Sequence, residues 1–393
     1  MKKINIIKYC LITLFVSNCA LMQKQKTSSR EVSSVTQSAI LNDSDTIAAP
    51  KSINNQLWAF EPLPNAVQAK FYEEKISSNV LVDPDYWTWG ASIFKWKDGK
   101  YHAYYSRWKK ETSWLGWLTD CEIAHGVSDK PEGPYTFVNV IVESRNKDGW
   151  ESATAHNPSV CVVDGTIYLY YISVDLDEVY KESEETYPVS KWIKDYWNVA
   201  RNRQKIGLVT ATNPSGPFIR TPQPVVKPHD GPFKNIAVNP AVTFADEKFT
   251  MIMKGDDLKH DEVFRIQLSG QSDKAEGPFV FEEQPVYDKA QTEDASVWHN
   301  KLTATYYMVC HVVDGREMIF LSSKDGKKWV ADKNPLFIKK EIVLENGQIW
   351  KPQRMERPFV LTDEQGQALM LFVAVKDKGV SGTVAIPFKK DMK

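Results

Sequence analysis

Five stretches of the sequence share one pattern, and this repeat limits the possible folds more than any other feature. Each stretch has a polar or turn-forming pair, then a small residue or proline, then an apolar run that leads through a turn into a more aromatic strand. Such pairs of runs, separated by turns such as Asp98-Gly99 and Asp164-Gly165, are typical of β-hairpins. The equivalent positions lie between 55 and 82 residues apart and are Gly90, Asn157, Asn239, Asp294 and Arg357.

The remaining three turns are placed at Asp246-Glu247, His299-Asn300 and residues 363–366. A second signature, in which glycine and proline or a second turn residue precede an aromatic residue, follows four of the units and begins at Ser128, Thr212, Ser272 and Ser322. It fits a turn between a third strand and an outer fourth strand.

The doubled repeat predicts an all-β fold, a five-bladed β-propeller with a short helical insertion in blade two. The spacing accommodates one four-stranded blade per unit, and repetition closes the domain. The alternative is a β-sandwich in which the similarity between units is accidental. The insertion covers about 175–203, and the residues that recur near helical spacing within it are Trp192, Asp195, Tyr196, Val199 and Arg203. It either caps a pocket or is a surface decoration.

The first 18 residues predict a targeting segment. Lys2 and Lys3 precede an apolar run that is too short for a good spanning helix. Residues 16–19 resemble a bacterial lipobox in which Cys19 would carry the lipid, although Asn18 stands where Gly or Ala is usual. We therefore expect a lipoprotein signal peptide over 1–18, with an ordinary secretory signal as the alternative.

Residues 19–55 are expected to be a disordered tether, because they are rich in Ser, Thr, Gln and Asn and carry few large apolar side chains. Residues 56–393 then form the propeller domain. The expected location is the bacterial periplasm or the outer-membrane surface, with membrane contact only through the lipid on Cys19.

Composition excludes several other classes of function. The formal net charge is −1, which gives no basic surface for nucleic acid. The five cysteines are Cys10, Cys19, Cys121, Cys161 and Cys310, and their spacing indicates neither a disulfide framework nor a metal site. No cofactor is indicated, and an ion in the propeller channel is compatible with the sequence but not required.

The repeat brings distant polar residues together. In a propeller the inner strands all run the same way along one axis, so the five equivalent positions form one ring at one mouth. The preceding residues form a second ring: Trp89, His156, Val238, Glu293 and Glu356. Carboxylates and amides bind vicinal hydroxyl groups, and indole rings such as those of Trp89 and Trp298 stack on sugars. The predicted partner is therefore an oligosaccharide.

Glycosidic cleavage needs two carboxyl groups, one that protonates the leaving oxygen and one that activates water or attacks carbon. Glu293 and Asp294 are adjacent and their side chains should diverge on a strand, so only one of them should face the bond. The other would bind sugar or alter a pKa.

The openings and the Gly-Pro-aromatic turns resemble the five-bladed propeller glycoside hydrolases of families 43 and 117, with more distant similarity to family 32. The resemblance covers about 57–388 and implies a catalytic Asp that opens blade one, a second Asp in blade three and a Glu general acid in blade four. Glu293 matches the acid, with a register uncertain by one toward Asp294. Gly90 and Asn239 stand at the two Asp positions. Replacement bases near the mouth are Asp83, Asp85, Asp120 and Glu122, of which Glu122 is favoured and Asp85 comes next.

These observations predict an exo-acting glycoside hydrolase for short oligosaccharides, in which Glu293 has a raised pKa and acts as general acid. The expected sugar-binding residues are Trp89, His156, Asn157, Asn239, Trp298, Glu356 and Arg357. Arg357 either binds an anionic sugar, such as a uronate or a sulfated galactose, or is neutralised by Glu356. The alternatives are a non-catalytic carbohydrate-binding propeller and a glycoside phosphorylase. A phosphorylase would need several basic groups, of which only Arg357 is evident.

Overall fold

A computed structural model describes residues 58–143, 149–176 and 197–389. The predicted signal peptide, the Cys19 anchor and the tether lie outside these ranges, as do Trp192, Asp195 and Tyr196 of the insertion. Over these three ranges, no helix is both long and apolar enough to cross a membrane.

The predicted propeller is confirmed: five separate antiparallel sheets of four strands form the blades, and the β-sandwich alternative is wrong. Blade five takes its outer strand, β1, from the start of the domain, and β1 pairs with β22 through Val80–Val384 and Leu81–Thr383. Both ends of the domain therefore contribute to one sheet, which ties them together and closes the ring of blades.

The strands follow chain order within blades one to four, and only blade five adds a strand from the start of the domain. Blade one contains β2 (Tyr86–Lys95), β3 (Tyr101–Lys109), β4 (Glu122–Ser128) and β5 (Thr136–Val142). Blade two contains β6 (Ala153–Val163), β7 (Thr166–Val174), β8 (Gln204–Ala211) and β9 (Ile219–Arg220). Blade three contains β10 (Phe233–Ala245), β11 (Lys248–Asp257), β12 (Arg265–Ser272) and β13 (Val280–Phe281). Blade four contains β14 (Thr292–Asn300), β15 (Thr305–Val312), β16 (Glu317–Ser323) and β17 (Val330–Lys339). Blade five contains β20 (Arg354–Thr362), β21 (Ala368–Asp377), β22 (Val380–Pro387) and β1 (Val80–Leu81).

Few elements lie outside the blades. A two-stranded ribbon of β18 (Ile342–Val343) and β19 (Ile349–Trp350) connects blades four and five, and helix α1 (Val67–Tyr72) precedes β1. Short 3-10 turns span Lys110–Thr112, Trp114–Leu118 and Gly149–Glu151. Residues 197–202 are helical, which confirms a short helix in the part of the blade-two insertion that is described.

The predicted hairpin turns are correct in blades one, two, three and five. The turn of blade four is shifted. Gly99 and Gly165 both have positive φ angles, as tight Asp-Gly turns require. His299 and Asn300 are not the turn: they end β14, where they pair with Tyr306 and Thr305, and the turn lies at 301–304. Asn300 instead orders that turn, because its side chain accepts hydrogen bonds from the backbone of Leu302 and Thr303.

The hydrophobic core lies in the seams between blades rather than in one centre. Each large cluster combines side chains from two neighbouring blades, as Phe94 and Tyr104 of blade one do with Leu169 of blade two. Tyr104 also donates a hydrogen bond to the carbonyl of Pro214, 2.8 Å away in the next blade, and Tyr170 makes the equivalent 2.9 Å bond one seam further on. The high aromatic content therefore serves mainly to join blades.

All five inner strands contain the same irregularity. The residues that occupy the five equivalent positions have left-handed φ angles between 50° and 57°, and the register of each strand pair shifts there. The five are Gly90, Asn157, Asn239, Asp294 and Arg357. A bulge of this kind bends the strand and re-aims the side chain, so each of these residues is turned toward the axis.

Buried serines two residues after the bulge connect the inner strands to one another. Ser92, Ser159 and Ser296 each accept a hydrogen bond from a backbone N–H of the following blade at 2.9–3.0 Å, and the donors are Val160, Val242 and Val360. These N–H groups are buried, so the serine oxygens supply partners that water cannot.

We predict that Ser159→Ala destabilises the protein by about 1–3 kcal/mol, because the buried N–H of Val242 would lose its acceptor. The free energy of unfolding, measured by chemical denaturation, checks this. Ser215→Ala on an exposed turn is the matched control and should change stability by less than about 0.5 kcal/mol. Equal stability of the two variants would show that the serine bond does not hold the blades together.

Candidate active site

One pocket of about 310 Å³ lies where the inner strands begin, and it collects most of the residues that the repeat predicts. This volume is near the lower end of the range of about 300–1,000 Å³ for small-molecule sites. Eight of the eleven predicted site residues line it: Trp89, His156, Asn157, Asn239, Glu293, Asp294, Glu356 and Arg357. Their chemical roles stay predictions.

A chain of hydrogen bonds runs around the floor of the pocket. The Asn157 amide donates to Asn239 Oδ1 at 2.8 Å, and the Asn239 amide donates to Asp294 Oδ1 at 2.6 Å. Arg357 donates to the same Asp294 oxygen at 3.3 Å. Gly90 completes the circle without a side chain, since a Cβ there would lie only 3.2 Å from Arg357 Nε. Below this chain the channel narrows to a cavity of about 20 Å³ lined by all five blades.

Asp294 is the buried anionic centre of this chain. Burial alone would raise the pKa of its carboxyl, but the neighbouring His311 and the charge of Arg357 hold the pKa well below its ordinary value. Asp294 therefore remains ionised, with its oxygen engaged by Asn239 and Arg357, and it positions the floor of the pocket.

Glu293 does not diverge from Asp294 as expected, because the left-handed Asp294 interrupts the strand alternation and brings an oxygen of each carboxylate within 4.8 Å of the other. Glu293 lies against three basic groups. Lys254 Nζ is 2.6 Å from Glu293 Oε2, Arg265 lies 3.6 Å from the same oxygen, and His311 Nδ1 is 3.7 Å from Oε1. Burial alone would raise the pKa of Glu293, but the charge and hydrogen bond of Lys254 lower it below its ordinary value. The expectation of a raised pKa is wrong, because the sequence reasoning did not bring Lys254 to this carboxylate.

The third carboxylate of the pocket, Glu356, comes from blade five. Arg354 binds it with two hydrogen bonds of 2.9 and 3.1 Å, in the two-pronged geometry that guanidinium and carboxylate groups favour. Arg357, in contrast, pairs with Asp294. The alternative in which Glu356 neutralises Arg357 is therefore wrong.

His156 is a neutral polar group in the wall of the pocket. Its burial, reinforced by the charge of Arg357, lowers its pKa to about 3. Its Nδ1 lies 3.3 Å from Thr154 Oγ1 and its ring packs on Trp117 at 5.2 Å. A neutral imidazole can both donate and accept hydrogen bonds, which suits recognition of a hydroxyl group.

Tryptophans also line the pocket. Trp114, on a 3-10 turn between β3 and β4, lies 5.2 Å from Trp89 and 5.1 Å from Trp108. Trp117 contacts Trp197 of the blade-two insertion at 5.8 Å. Because Trp197 and Arg201 line the pocket, the described end of the insertion contributes to the site.

Three predicted site residues are not brought to the pocket. Glu122 pairs with Arg107 at 2.8 Å, and Arg107 also binds Asp83, so this carboxylate belongs to an ion-pair network within blade one. Asp85 is exposed in the turn before β2. Trp298 lies near the far end of β14, buried among aromatic residues between blades four and five. Its position four residues beyond the bulge carries it away from the mouth.

The sequence reasoning missed the basic residues of the pocket: Arg201, Lys254, Arg265 and Arg354. Two signals could have found part of this set. The hairpin register pairs Val238 with Lys254 and Glu293 with His311, so counting back from each turn identifies the residue opposite each opening. Arg354 lies two residues before Glu356 and points the same way on β20.

Three possible metal ligands also meet here. Glu293, Asp294 and His311 each place one donor atom within 4.8 Å of the others. The surrounding charge fits a cation poorly, because Lys254 and Arg265 already lie against Glu293, and Arg357 against Asp294. A divalent ion would have to displace an ammonium group and would be repelled by two guanidinium groups.

Solved structures share this fold. Zg3597, a family 117 glycoside hydrolase from the marine bacterium Zobellia galactanivorans, is 14% identical over 86% of this chain and 91% of its own, with a TM-score of 0.56. An α-L-arabinofuranosidase from Lactobacillus brevis is 14% identical over 79% and 93% of the two chains, with a TM-score of 0.51. A GH43_1 enzyme from Xanthomonas citri is 12% identical over 81% and 93%, with a TM-score of 0.51.

No known family profile matches the sequence, and the comparison with curated proteins finds no match. At the identities of the solved structures, the similarity establishes the five-bladed propeller fold. It agrees with the resemblance to families 43 and 117.

We predict that Asp294→Asn destabilises the protein by about 3–5 kcal/mol, because it leaves the Arg357 guanidinium buried without its carboxylate. The pKa of Asp294 is depressed in the folded state, so its contribution is complete above the ordinary Asp pKa. The difference between wild type and variant should therefore shrink below about pH 4, by about 1.4 kcal/mol per pH unit.

Urea unfolding at several pH values measures both effects. Asp273→Asn, at an exposed surface ion pair with Lys248, is the control and should leave stability essentially unchanged. A constant difference between wild type and Asp294→Asn from pH 7 to pH 3 would contradict the role of the ionised carboxylate.

Proposed function

We propose that the protein is a glycoside hydrolase that removes short units from the ends of oligosaccharides. The observation that carries this proposal is the pocket itself, about 310 Å³ in volume, whose lining combines carboxylates, basic groups and tryptophans. The tryptophan faces would stack on the sugar ring, and the amides of Asn157 and Asn239 with the imidazole of His156 would bind hydroxyl groups. A pocket of this size that ends in a hydrogen-bonded floor suits a chain end better than the middle of a polymer.

Glu293 and Glu356 are the two pocket carboxylates that the floor network does not use, and we assign the chemistry to this pair. In the free protein Glu293 is ionised beside Lys254, which suits a base or a nucleophile. It could act as the general acid only after the substrate had separated it from Lys254. Glu356 would then supply the complementary role from blade five.

Two other functions remain in competition. A glycoside phosphorylase is favoured by the basic groups that line the pocket, since phosphate itself would attack the sugar and no carboxylate base would be needed. A non-catalytic binding propeller is favoured by Gly90 and Asn239, which stand where the resembling hydrolases have aspartates. Turnover without phosphate, turnover only with phosphate, or binding without turnover separates the three.

Glu293→Gln should lower hydrolysis of a natural oligosaccharide by about 10²- to 10⁴-fold while sugar binding persists, because the amide keeps the shape but can neither take up nor donate the proton. Steady-state kinetics and calorimetric binding measure the two effects. Aryl glycosides with good leaving groups decide the role: a smaller loss on them assigns Glu293 as the acid, and an equal loss assigns it as base or nucleophile.

Lys248→Gln at the exposed start of β11 is the matched control and should retain full activity. If Glu293→Gln kept full turnover while Glu356→Gln or Asp294→Asn abolished it, the catalytic assignment would move to the latter residue. If wild type turned over no saccharide but bound one, the binding function would replace the proposal.

A further inference from the structure

The two cations beside Glu293 are not equally engaged. Lys254 makes a 2.6 Å hydrogen bond to Glu293 Oε2. The Arg265 guanidinium lies 3.6 Å from that oxygen, beyond hydrogen-bond distance, and among the described residues it has no other side-chain partner. Its side chain is one-third exposed and lines the pocket.

Charge is also unbalanced among the described residues of the pocket. The lining contains the five basic residues Arg201, Lys254, Arg265, Arg354 and Arg357, against the three carboxylates of Glu293, Asp294 and Glu356. Asp256, which is fully buried, balances Arg201 at 3.3 Å. Arg354 has Glu356 and Arg357 has Asp294, so Lys254 and Arg265 share the single charge of Glu293.

We propose that Arg265 and Lys254 form an oxyanion subsite next to Glu293, so that the pocket accepts a saccharide together with a carboxylate, sulfate or phosphate group. The inference rests on the proposed function only for the saccharide. The anion subsite itself stands on the position of Arg265 and on its guanidinium donors, which no side chain in the described part of the chain accepts within hydrogen-bond distance.

The chemistry of the pair supports an oxyanion specifically. A guanidinium group presents paired donors in a plane, which match two oxygens of a carboxylate, sulfate or phosphate. An ammonium group beside it adds a point charge. A neutral hydroxyl would leave the second positive charge uncompensated in a half-buried site, whereas an oxyanion would balance it.

The subsite lies beside the proposed catalytic carboxylate rather than at the pocket rim. An anion bound to Arg265 would approach Glu293, and the two negative charges would share Lys254 and Arg265 between them. The anionic group therefore belongs either to the sugar ring that enters the pocket or to a phosphate that attacks it. These two sources make different products.

Thermal unfolding at constant ionic strength tests the subsite directly. Replacing chloride by inorganic phosphate or sulfate should raise the Tm of wild type and of the Lys248→Gln control, because an anion that binds the folded state stabilises it. Arg265→Gln and Lys254→Gln should weaken the anion affinity, measured by calorimetry, by about tenfold or more. The same affinity in Arg265→Gln as in wild type, or no Tm shift in wild type, would overturn the subsite.

A matched pair of disaccharides, cellobiose and cellobiouronic acid, identifies the source of the anion. Tighter binding of the acid, lost in Arg265→Gln, places the charge on the sugar. Formation of a sugar phosphate only when phosphate is added identifies phosphate as the attacking group. Turnover of neutral sugars without any effect of anions would support the hydrolase and refute the subsite. Anion binding without turnover of any saccharide would support the subsite and refute the hydrolase.

Discussion

The buried carboxylate of Asp294 is the interaction on which the rest of the site depends. It accepts hydrogen bonds from Asn239 and Arg357, and Asn239 in turn accepts from Asn157, so one charge organises residues from four blades. Each of them reaches the axis because its strand bulges at a left-handed residue. The bulges fix the directions of the side chains and the charge fixes their contacts, which together make a rigid floor beneath the pocket.

Different blades supply the aromatic and the charged side chains of the pocket walls above this floor. The tryptophans come from blade one and from the blade-two insertion, whereas blades three, four and five supply Lys254, Glu293 and Glu356. A sugar bound here would place an apolar face against the indole rings and its reacting bond toward these charged side chains. The inner strands are nearly equivalent in backbone, so this asymmetry arises from the side chains that each blade carries and from the connections: the β3–β4 loop carries Trp114 and Trp117 as an addition to the repeat.

The fold could be predicted from the sequence because the repeat is local in each unit. Turn residues, strand periodicity and the five openings are each recognisable within about twenty residues. Repetition of the unit then determines how the five blades close into a propeller. The site could be predicted only where it follows the repeat. The prediction for Glu122 was wrong because Arg107, its partner across the sheet, engages it. The prediction for Trp298 was wrong because a residue that far from the bulge lies in the seam between blades and not in the pocket. Lys254 was recoverable from hairpin register, but Arg265 depends on how the third strand of blade three begins.

Gly90 and Asn239, the two positions at which the resemblance implies aspartates, belong to one network. An aspartate at position 239 could accept the hydrogen bond from Asn157 but could not donate to Asp294, and it would place a second negative charge 2.6 Å from that carboxylate. A side chain at position 90 would begin 3.2 Å from Arg357 Nε and crowd the guanidinium that balances Asp294. The ion pair between Asp294 and Arg357 therefore favours glycine at position 90 and asparagine at position 239. In this chain the ionised carboxylate lies in blade four, where Asp294 holds the floor and leaves Glu293 to face the pocket.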